Sequence, residues 1–360
     1  MDLSPRRALV AVGSTVLVAA VVVTSLRLVA GPARGSALSA RVDPAVVDIT
    51  ATLGSMDVDA IGSGAVLANC PILAGTGIVL SASGEVLTNN HVIEGATAIS
   101  ARDVGNGRTY SATVLGTDPD GDLALLGLVR ASHLKTVSIG SDAALRVGSV
   151  VHAIGNANGA GGTPSLDTGV VTALDGTLAV TNAMFDTSER LDGLIETTAV
   201  LAPGDSGGPL VDGAGRVVGV ATAEVTSSRC VPARTEGVAI PIDRALTVAR
   251  QIEAGRGTAA VHVGPTACLG VEVVAAATTT SWLPRGALVT HVVPGSPAQR
   301  AGLGAGDDIV SLAGKRITSP AQLVELLDRA RPGERAGCRW VGPRGRAHEA
   351  TLRLVAGPPE

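Results

Sequence analysis

The hexapeptide Gly204-Asp205-Ser206-Gly207-Gly208-Pro209 constrains this 360-residue chain more than any other stretch, because it sets one serine among glycines where ordinary folding demands none. Gly204 has no Cβ and can take backbone angles closed to other residues, so its amide can turn beside that of Ser206 toward one point. Two convergent N–H groups make an oxyanion hole, in which each donor is worth roughly 3–4 kcal/mol to an acyl transfer. The plain alternative is a turn with an incidental serine, since Gly, Asp, Ser and Pro all favour turns.

A serine hydroxyl is a weak nucleophile at neutral pH and needs a base. Among six histidines the candidate is His91, at the end of Gly84-Glu85-Val86-Leu87-Thr88-Asn89-Asn90-His91, where a turn and a short apolar strand deliver a polar cluster. His133, His152, His262, His291 and His348 lack such a setting and read as surface or structural histidines. A carboxylate must orient the base, and Thr117-Asp118-Pro119-Asp120-Gly121-Asp122 offers three. Asp118 and Asp120 flank Pro119 as exposed turn formers do, whereas Asp122 opens the apolar run Leu123-Ala124-Leu125-Leu126 and is the candidate. Asp122 follows His91 by 31 residues (122 minus 91) and Ser206 follows Asp122 by 84 (206 minus 122). This His, Asp, Ser order is that of chymotrypsin rather than of subtilisins or α/β-hydrolases. It predicts two six-stranded antiparallel barrels with the three residues in the cleft between them.

In chain order, Gly75-Thr76-Gly77-Ile78-Val79-Leu80, Thr88-Asn89-Asn90-His91-Val92-Ile93, Asp122-Leu123-Ala124-Leu125-Leu126, Ala153-Ile154-Gly155-Asn156, Pro203-Gly204-Asp205-Ser206-Gly207-Gly208-Pro209 and Gly237-Val238-Ala239-Ile240-Pro241-Ile242 resemble the landmarks of HtrA/Deg-type proteases. The likeness spans about residues 45–356, and the Gly159-Ala160-Gly161-Gly162-Thr163-Pro164 loop brings it nearest to actinobacterial members. The resemblance implies a serine endopeptidase with His91, Asp122 and Ser206 as its triad and the Gly204 and Ser206 amides as its oxyanion hole. It implies a primary substrate pocket lined by Val200, Leu201, Ala221, Thr222 and Ala223, a set without acidic residues that suits small or aliphatic side chains. It also implies a possible homotrimer, although residues 41–66 hold none of the aromatic residues that commonly knit family trimers. Neither cofactor nor metal is called for. The rival classes are a non-proteolytic peptide-binding chaperone and an esterase-like hydrolase.

Three parts are expected: 1–40, an anchor and linker; 41–257, the protease domain; and 258–360, a peptide-binding domain. Arg6 and Arg7 precede an uncharged apolar stretch from Ala8 to Leu26, whose 19 residues would span about 28 Å as a helix, close to a hydrocarbon core of ~30 Å. An uncleaved membrane helix is favoured over a cleaved signal, with the remainder exported by the positive-inside rule; a secreted product is the alternative. Export permits disulfides among four cysteines. Pairing within parts would join Cys70 to Cys230 and Cys268 to Cys338; Cys70 with Cys268 would instead staple the parts together. Lys+Arg of 28 against Asp+Glu of 32, with no basic run, leaves no electrostatic footprint for nucleic acid. Only Phe185, Tyr110, Trp282 and Trp340 are aromatic, so the cores must be aliphatic.

After Gly255-Arg256-Gly257 the segments read strand, turn, strand, helix, strand. Cys268 to Val273, Gly286 to Thr290 and Asp307 to Leu312 are the strands. Ser319, Pro320 and Gln322 read as a capped helix start, with Leu323, Leu326 and Leu327 on one face before Pro332-Gly333. This is similar to a PDZ domain of the bacterial protease type, whose carboxylate-binding turn would be Leu269-Gly270-Val271 and whose partners would be peptide C-termini. The fold expected is therefore mostly β: a chymotrypsin-like double barrel, a PDZ-like α+β domain and an N-terminal transmembrane helix.

Overall fold

Short alternating apolar runs broken by Gly- and Asp-rich turns favour antiparallel strands, and the computed structural model, which describes residues 32–53, 72–182, 187–222, 235–258, 260–275 and 286–357, is built mainly from them. The first unit contains β1 (Val46–Leu53), β2 (Ile72–Val79), β3 (Glu85–Thr88), β4 (Ala96–Asp103), β5 (Thr109–Asp118) and β6 (Leu123–Leu128). They pair in the order β5-β4-β1-β2-β3-β6, and pairing of β5 with β6 closes the ring. Closure removes the free edges that an open sheet would expose. Along β1 the side chains alternate: Val47, Ile49 and Ala51 fill the barrel, while Val46 joins a second cluster outside it. Each fully buried aliphatic side chain here is worth about 1.5–3 kcal/mol of transfer free energy.

The second unit contains β7 (Ser138–Ile139), β8 (Val150–Gly155), β9 (Ser165–Asn182), β10 (Thr187–Leu201), β11 (Pro209–Asp212), β12 (Arg216–Thr222) and β13 (Thr235–Pro241). Its ring runs β11-β8-β9-β10-β13-β12, closed by β11 with β12, and β7 adds outside in parallel with β12. The cluster that receives Val46 also holds Ile78, Leu123 and Leu125 of the first barrel and Ile154, Val211, Val217 and Ile240 of the second, so one core glues the two barrels. Two helices cover it. In α1 (Pro32–Val42), Leu38 and Val42 are buried on this cluster, so packing begins upstream of the boundary expected at residue 41. In α2 (Ile242–Glu253), Ile242, Ala245, Val248, Ala249 and Ile252 fall on one stripe and are buried.

Past α2, β14 (His262–Val263) adds to the first barrel, with His262 opposite Thr117 on β5. Strand pairing thus continues beyond the boundary expected at 257. The last unit contains β15 (Ala267–Cys268), β16 (Val271–Ala275), β17 (Ala287–Val292), α3 (Pro297–Ala301), β18 (Asp308–Leu312), β19 (Lys315–Arg316), α4 (Pro320–Asp328), β20 (Arg335–Val341), β21 (Ala347–Arg353) and β22 (Val355–Ala356). Its sheet order is β16-β17-β18-β20-β21. Leu269, Val289, Ile309, Leu312, Leu323, Leu327 and Trp340 form its core. Ser319 caps α4 as expected, its Oγ accepting from the Gln322 N–H at 3.3 Å. Gln322 reaches back to the Thr318 N–H, 2.9 Å, one residue before the reciprocal partner of a capping box.

One expectation changes here, and two fall outside the described residues. No bond joins Cys268 to Cys338: Cys338 is a fully buried thiol on β20, its pKa pushed up to about 12 by burial, while the Cys268 sulfur accepts the Gly270 N–H at 3.1 Å. Cys70 and Cys230 lie outside the described residues. The apolar stretch 8–26 also lies outside them, and among the described residues no helix is long and apolar enough to cross a membrane.

Candidate active site

β3 ends at Thr88, and a tight turn over Asn90–Val92 places His91 at the barrel rim. Asp122 stands in the β5–β6 turn with φ of 51°, a left-handed conformation that aspartate tolerates better than most residues. Asn89 Nδ2 donates to the Asp122 carbonyl at 2.9 Å, and the His91 N–H donates to Asp122 Oδ1 at 3.0 Å. His91 Nδ1 then lies 2.9 Å from Asp122 Oδ2 and 3.0 Å from Oδ1. That contact fixes the ring so that Nε2 is the nitrogen left for proton transfer. Thr222 Oγ1 of β12 donates to the same carboxylate at 3.1 Å. Asp118, expected on the surface, is buried instead, because its Oδ1 folds under the turn to accept the Gly121 N–H at 3.1 Å. Burial raises its pKa.

Ser206 is buried on the second barrel's rim, and the hexapeptide around it is held at several points. Asp205 Oδ2 accepts the Ala202 N–H at 2.8 Å and its Oδ1 accepts from Ser165 Oγ at 3.0 Å. Gly207 N–H donates to the Ala221 carbonyl, and the Ala221 N–H donates to Gly208, each at 2.8 Å. Since Thr222 follows Ala221, these bonds tie the serine loop to Asp122, bringing the three candidate residues into one network. Gly207 has φ of +84°, and a Cβ there would sit 2.2 Å from both the Thr76 carbonyl and Thr88 Oγ1. Gly204 has φ of +97°, and its Cβ would sit 2.2 Å from the Asn156 carbonyl. Neither position accommodates a side chain.

The peptide between Pro203 and Gly204 has a definite orientation. The Pro203 carbonyl accepts the Asn158 N–H at 2.5 Å. In a trans peptide the carbonyl and the next N–H point in opposite directions, so the Gly204 N–H faces away from the Asn158 loop. It donates to none of the described residues.

Sequence reasoning missed Thr76, flagged only as part of a glycine-flanked landmark. Its N–H donates to the Ser206 carbonyl at 2.8 Å, and its Oγ1 donates to the Gly204 carbonyl at 2.6 Å. Oγ1 also accepts the Asn156 N–H at 2.8 Å, and the Thr76 carbonyl accepts from Thr88 Oγ1 at 2.7 Å. One first-barrel residue thus holds both ends of the serine loop. Its position between glycines was the available signal.

The pocket residues separate. Leu201 and Ala221 are packed into the second barrel's core with Ala199, Leu210 and Ala239. Thr222 spends its hydroxyl on Asp122, Val200 is half-buried, and Ala223 lies outside the described residues. In the last unit, Leu269 is buried and its carbonyl accepts the Ala298 N–H at 3.0 Å. Gly270 has φ of +77° and its carbonyl accepts the Val293 N–H at 3.0 Å. Val271 begins β16, which among the described residues pairs only with β17 and so presents an open edge there.

Two family models match the chain: a trypsin-like peptidase domain over residues 75–220 and a PDZ domain over residues 288–336. Among curated relatives, a "Probable periplasmic serine endoprotease DegP-like" of Hahella chejuensis is 38% identical over 271 residues, covering 74% of this chain and 54% of the relative. "Serine protease PepD" of Mycobacterium tuberculosis is 32% identical over 334 residues, covering 88% and 65%. The chain therefore spans between half and two thirds of the length of these two relatives. Among solved structures, "HtrA-type protease AlgW with tripeptide" is 28% identical, covers 90% of this chain and 98% of its own, and has a TM-score of 0.48.

Proposed function

The chain is homologous to the HtrA-type serine proteases, and on that premise we propose that it is an extracytoplasmic serine endopeptidase whose C-terminal PDZ domain takes up peptide C-termini. The observation that carries the reading is the carboxylate of Asp122 on His91 Nδ1 at 2.9 Å, tied through Thr222 and Ala221 to the glycine-flanked Ser206. Ser206 Oγ attacks a peptide carbonyl while His91 takes its proton. Asp122 holds the tautomer and stabilises the imidazolium. The Gly204 and Ser206 amides receive the oxyanion, His91 returns the proton to the leaving amine, and water releases the acyl-enzyme through the same base.

Val200 is the pocket candidate left open toward substrate, since Leu201 and Ala221 lie in the core. The pocket set has no acidic member of its own, which favours small or aliphatic side chains at the cleaved position, and the nearby Asp167 carboxylate already accepts the Val200 N–H at 2.9 Å. In the PDZ domain, a peptide would add as a strand to the free edge of β16 beside α4, its carboxylate at the Leu269–Val271 turn. Residues 8–26 supply the anchor in this reading, and the active form is a homotrimer. An immunoblot showing only a shortened, medium-released product would remove the anchor, and light scattering at monomer mass would remove the trimer.

The deciding experiment is degradation of unfolded casein by the full chain in mild detergent, expected to be abolished by Ser206→Ala. A wild-type chain that binds peptides yet cleaves nothing, with or without an added peptide C-terminus, would assign it to the peptide-binding class instead.

A further inference from the structure

The strand register of the first barrel puts three polar side chains in a row: Asp48 on β1 is opposite Arg102 on β4 and opposite Thr76 on β2. Alternation along β1 sends Val47 and Ile49 into the barrel, so Asp48 shares the face of Val46, which meets the second barrel. An aspartate only 6% exposed at such a seam is costly unless its oxygens are used. Oδ2 accepts the Gly162 N–H at 3.2 Å and lies 3.4 Å from Arg102 Nη1.

Gly162 belongs to the second-barrel loop between β8 and β9. Asn158, Gly159, Gly161 and Gly162 there have φ of 59°, 64°, 67° and 92°. These left-handed residues turn the loop's amides inward, and each has a defined acceptor. Asn158 N–H donates to the Pro203 carbonyl at 2.5 Å, and Gly159 N–H to the Asn156 carbonyl at 2.9 Å. Gly161 N–H donates to Asn156 Oδ1 at 2.6 Å, and Gly162 N–H to Asp48. The loop is therefore slung between the Pro203 carbonyl at one end and the Asp48 carboxylate at the other. Asp48 is the one ionisable acceptor in this set, and bonds to a carboxylate are about twice as strong as neutral ones.

We propose that Asp48 is a positioning residue for the oxyanion hole: by holding Gly162 it sets the 156–162 loop so that Asn158 grips the Pro203 carbonyl and turns the Gly204 N–H toward the substrate. The inference rests on the proposed protease reading of Ser206. It assigns to a residue 158 positions away from the serine (206 minus 48), on the other barrel, the job of orienting one catalytic amide.

The test uses the full chain, solubilised in mild detergent. Asp48→Ala is expected to lower kcat on a peptide substrate about tenfold, short of the 10²–10³ lost when a donor is removed, with KM changed less than twofold. Asp48→Asn, which keeps an oxygen acceptor, should recover part of the loss and serves alone if the alanine variant does not fold. Amide hydrogen exchange supplies a readout independent of turnover: fragments covering 156–163 and 202–206 should both exchange faster in the variant than in wild type. Unchanged kcat in a folded variant, a loss confined to KM, or faster exchange in 156–163 alone would each overturn the proposal. If wild type cleaves nothing while the two fragments still respond together, the protease reading falls and the coupling from Asp48 to the Gly204 peptide stands.

Discussion

The two barrels bring the proposed catalytic groups into place by different means. His91 and Asp122 are set mainly from within their own barrel: Asn89 holds the Asp122 backbone, and the His91 amide holds its carboxylate, while Thr222 adds a bond from across the cleft. The serine loop depends on the other barrel, since Thr76 bonds both the Gly204 and Ser206 carbonyls. An acid–base pair can be built locally because a carboxylate and an imidazole need only meet. An oxyanion hole requires two peptide groups in unusual orientations, and a loop rich in glycine does not hold such orientations unaided. The serine loop, the half of the proposed site that lacks a rigid frame of its own, is thus the half most exposed to changes at the inter-barrel seam.

The sharpest way to break this contrast is Gly204→Ala. With φ of +97° and the Asn156 carbonyl 2.2 Å from a Cβ, the loop must move, and kcat should fall about 100-fold or more while the His91 titration stays as in wild type. More than a tenth of wild-type turnover in that variant would show that the loop finds another productive shape. Thr76→Val comes next: it removes the bond to Gly204 and leaves the buried Asn156 N–H without its acceptor, at a cost of about 1–3 kcal/mol. Labelling of Ser206 by a fluorophosphonate should slow roughly tenfold or more; a labelling rate within about twofold of wild type would erase the difference between the halves. Thr222→Val tests the opposite half and should be mild, about 1 kcal/mol or fivefold in kcat, because Asp122 keeps its other partners.

A fourth variant should leave turnover alone. Asp308 in the PDZ domain is fully buried, neither carboxyl oxygen has a hydrogen-bond partner among the described residues, and burial raises its pKa from 3.8 to about 6. The folded state therefore holds the proton more tightly than the unfolded one. Its favourable contribution is complete below pH about 4 and is lost as pH rises through about 6, by at most about 3 kcal/mol. Urea unfolding of wild type should show the domain weaker at pH 7.5 than at pH 4, and Asp308→Asn should flatten that dependence. A steeper dependence in the variant would place the titration elsewhere.

Much of this architecture is legible without coordinates. The order His91, Asp122, Ser206 carries the double barrel, and Ser319-Pro320 with its leucine stripe carries α4, because each depends on local chemistry repeated along a short window. The roles of Thr76 and Asp48 are not legible that way. Thr76 meets Gly204 across 128 positions of sequence, and Asp48 meets Gly162 across 114, only because β1, β2 and β4 pair in one register. A shift of one residue would turn both side chains into the barrel. Asp118 misleads for a related reason: residues typical of exposed turns also fold beneath them when an amide offers a bond. Leu201, Ala221 and Thr222 are correctly placed beside the serine along the chain, yet strand alternation points the first two inward and Thr222 at Asp122.

β14 gives the molecule a short leash. Only Gly264, Pro265 and Thr266 separate Val263, zipped to the first barrel, from β15. Four Cα steps reach at most about 14 Å. A peptide seated along β16 would therefore sample a volume tens of ångströms across rather than bulk solution, which corresponds to a local concentration on the order of millimolar. At that concentration a segment with a millimolar KM half-saturates the cleft, so capture of one end would relax the affinity demanded of the pocket and let sequences of many kinds be cut.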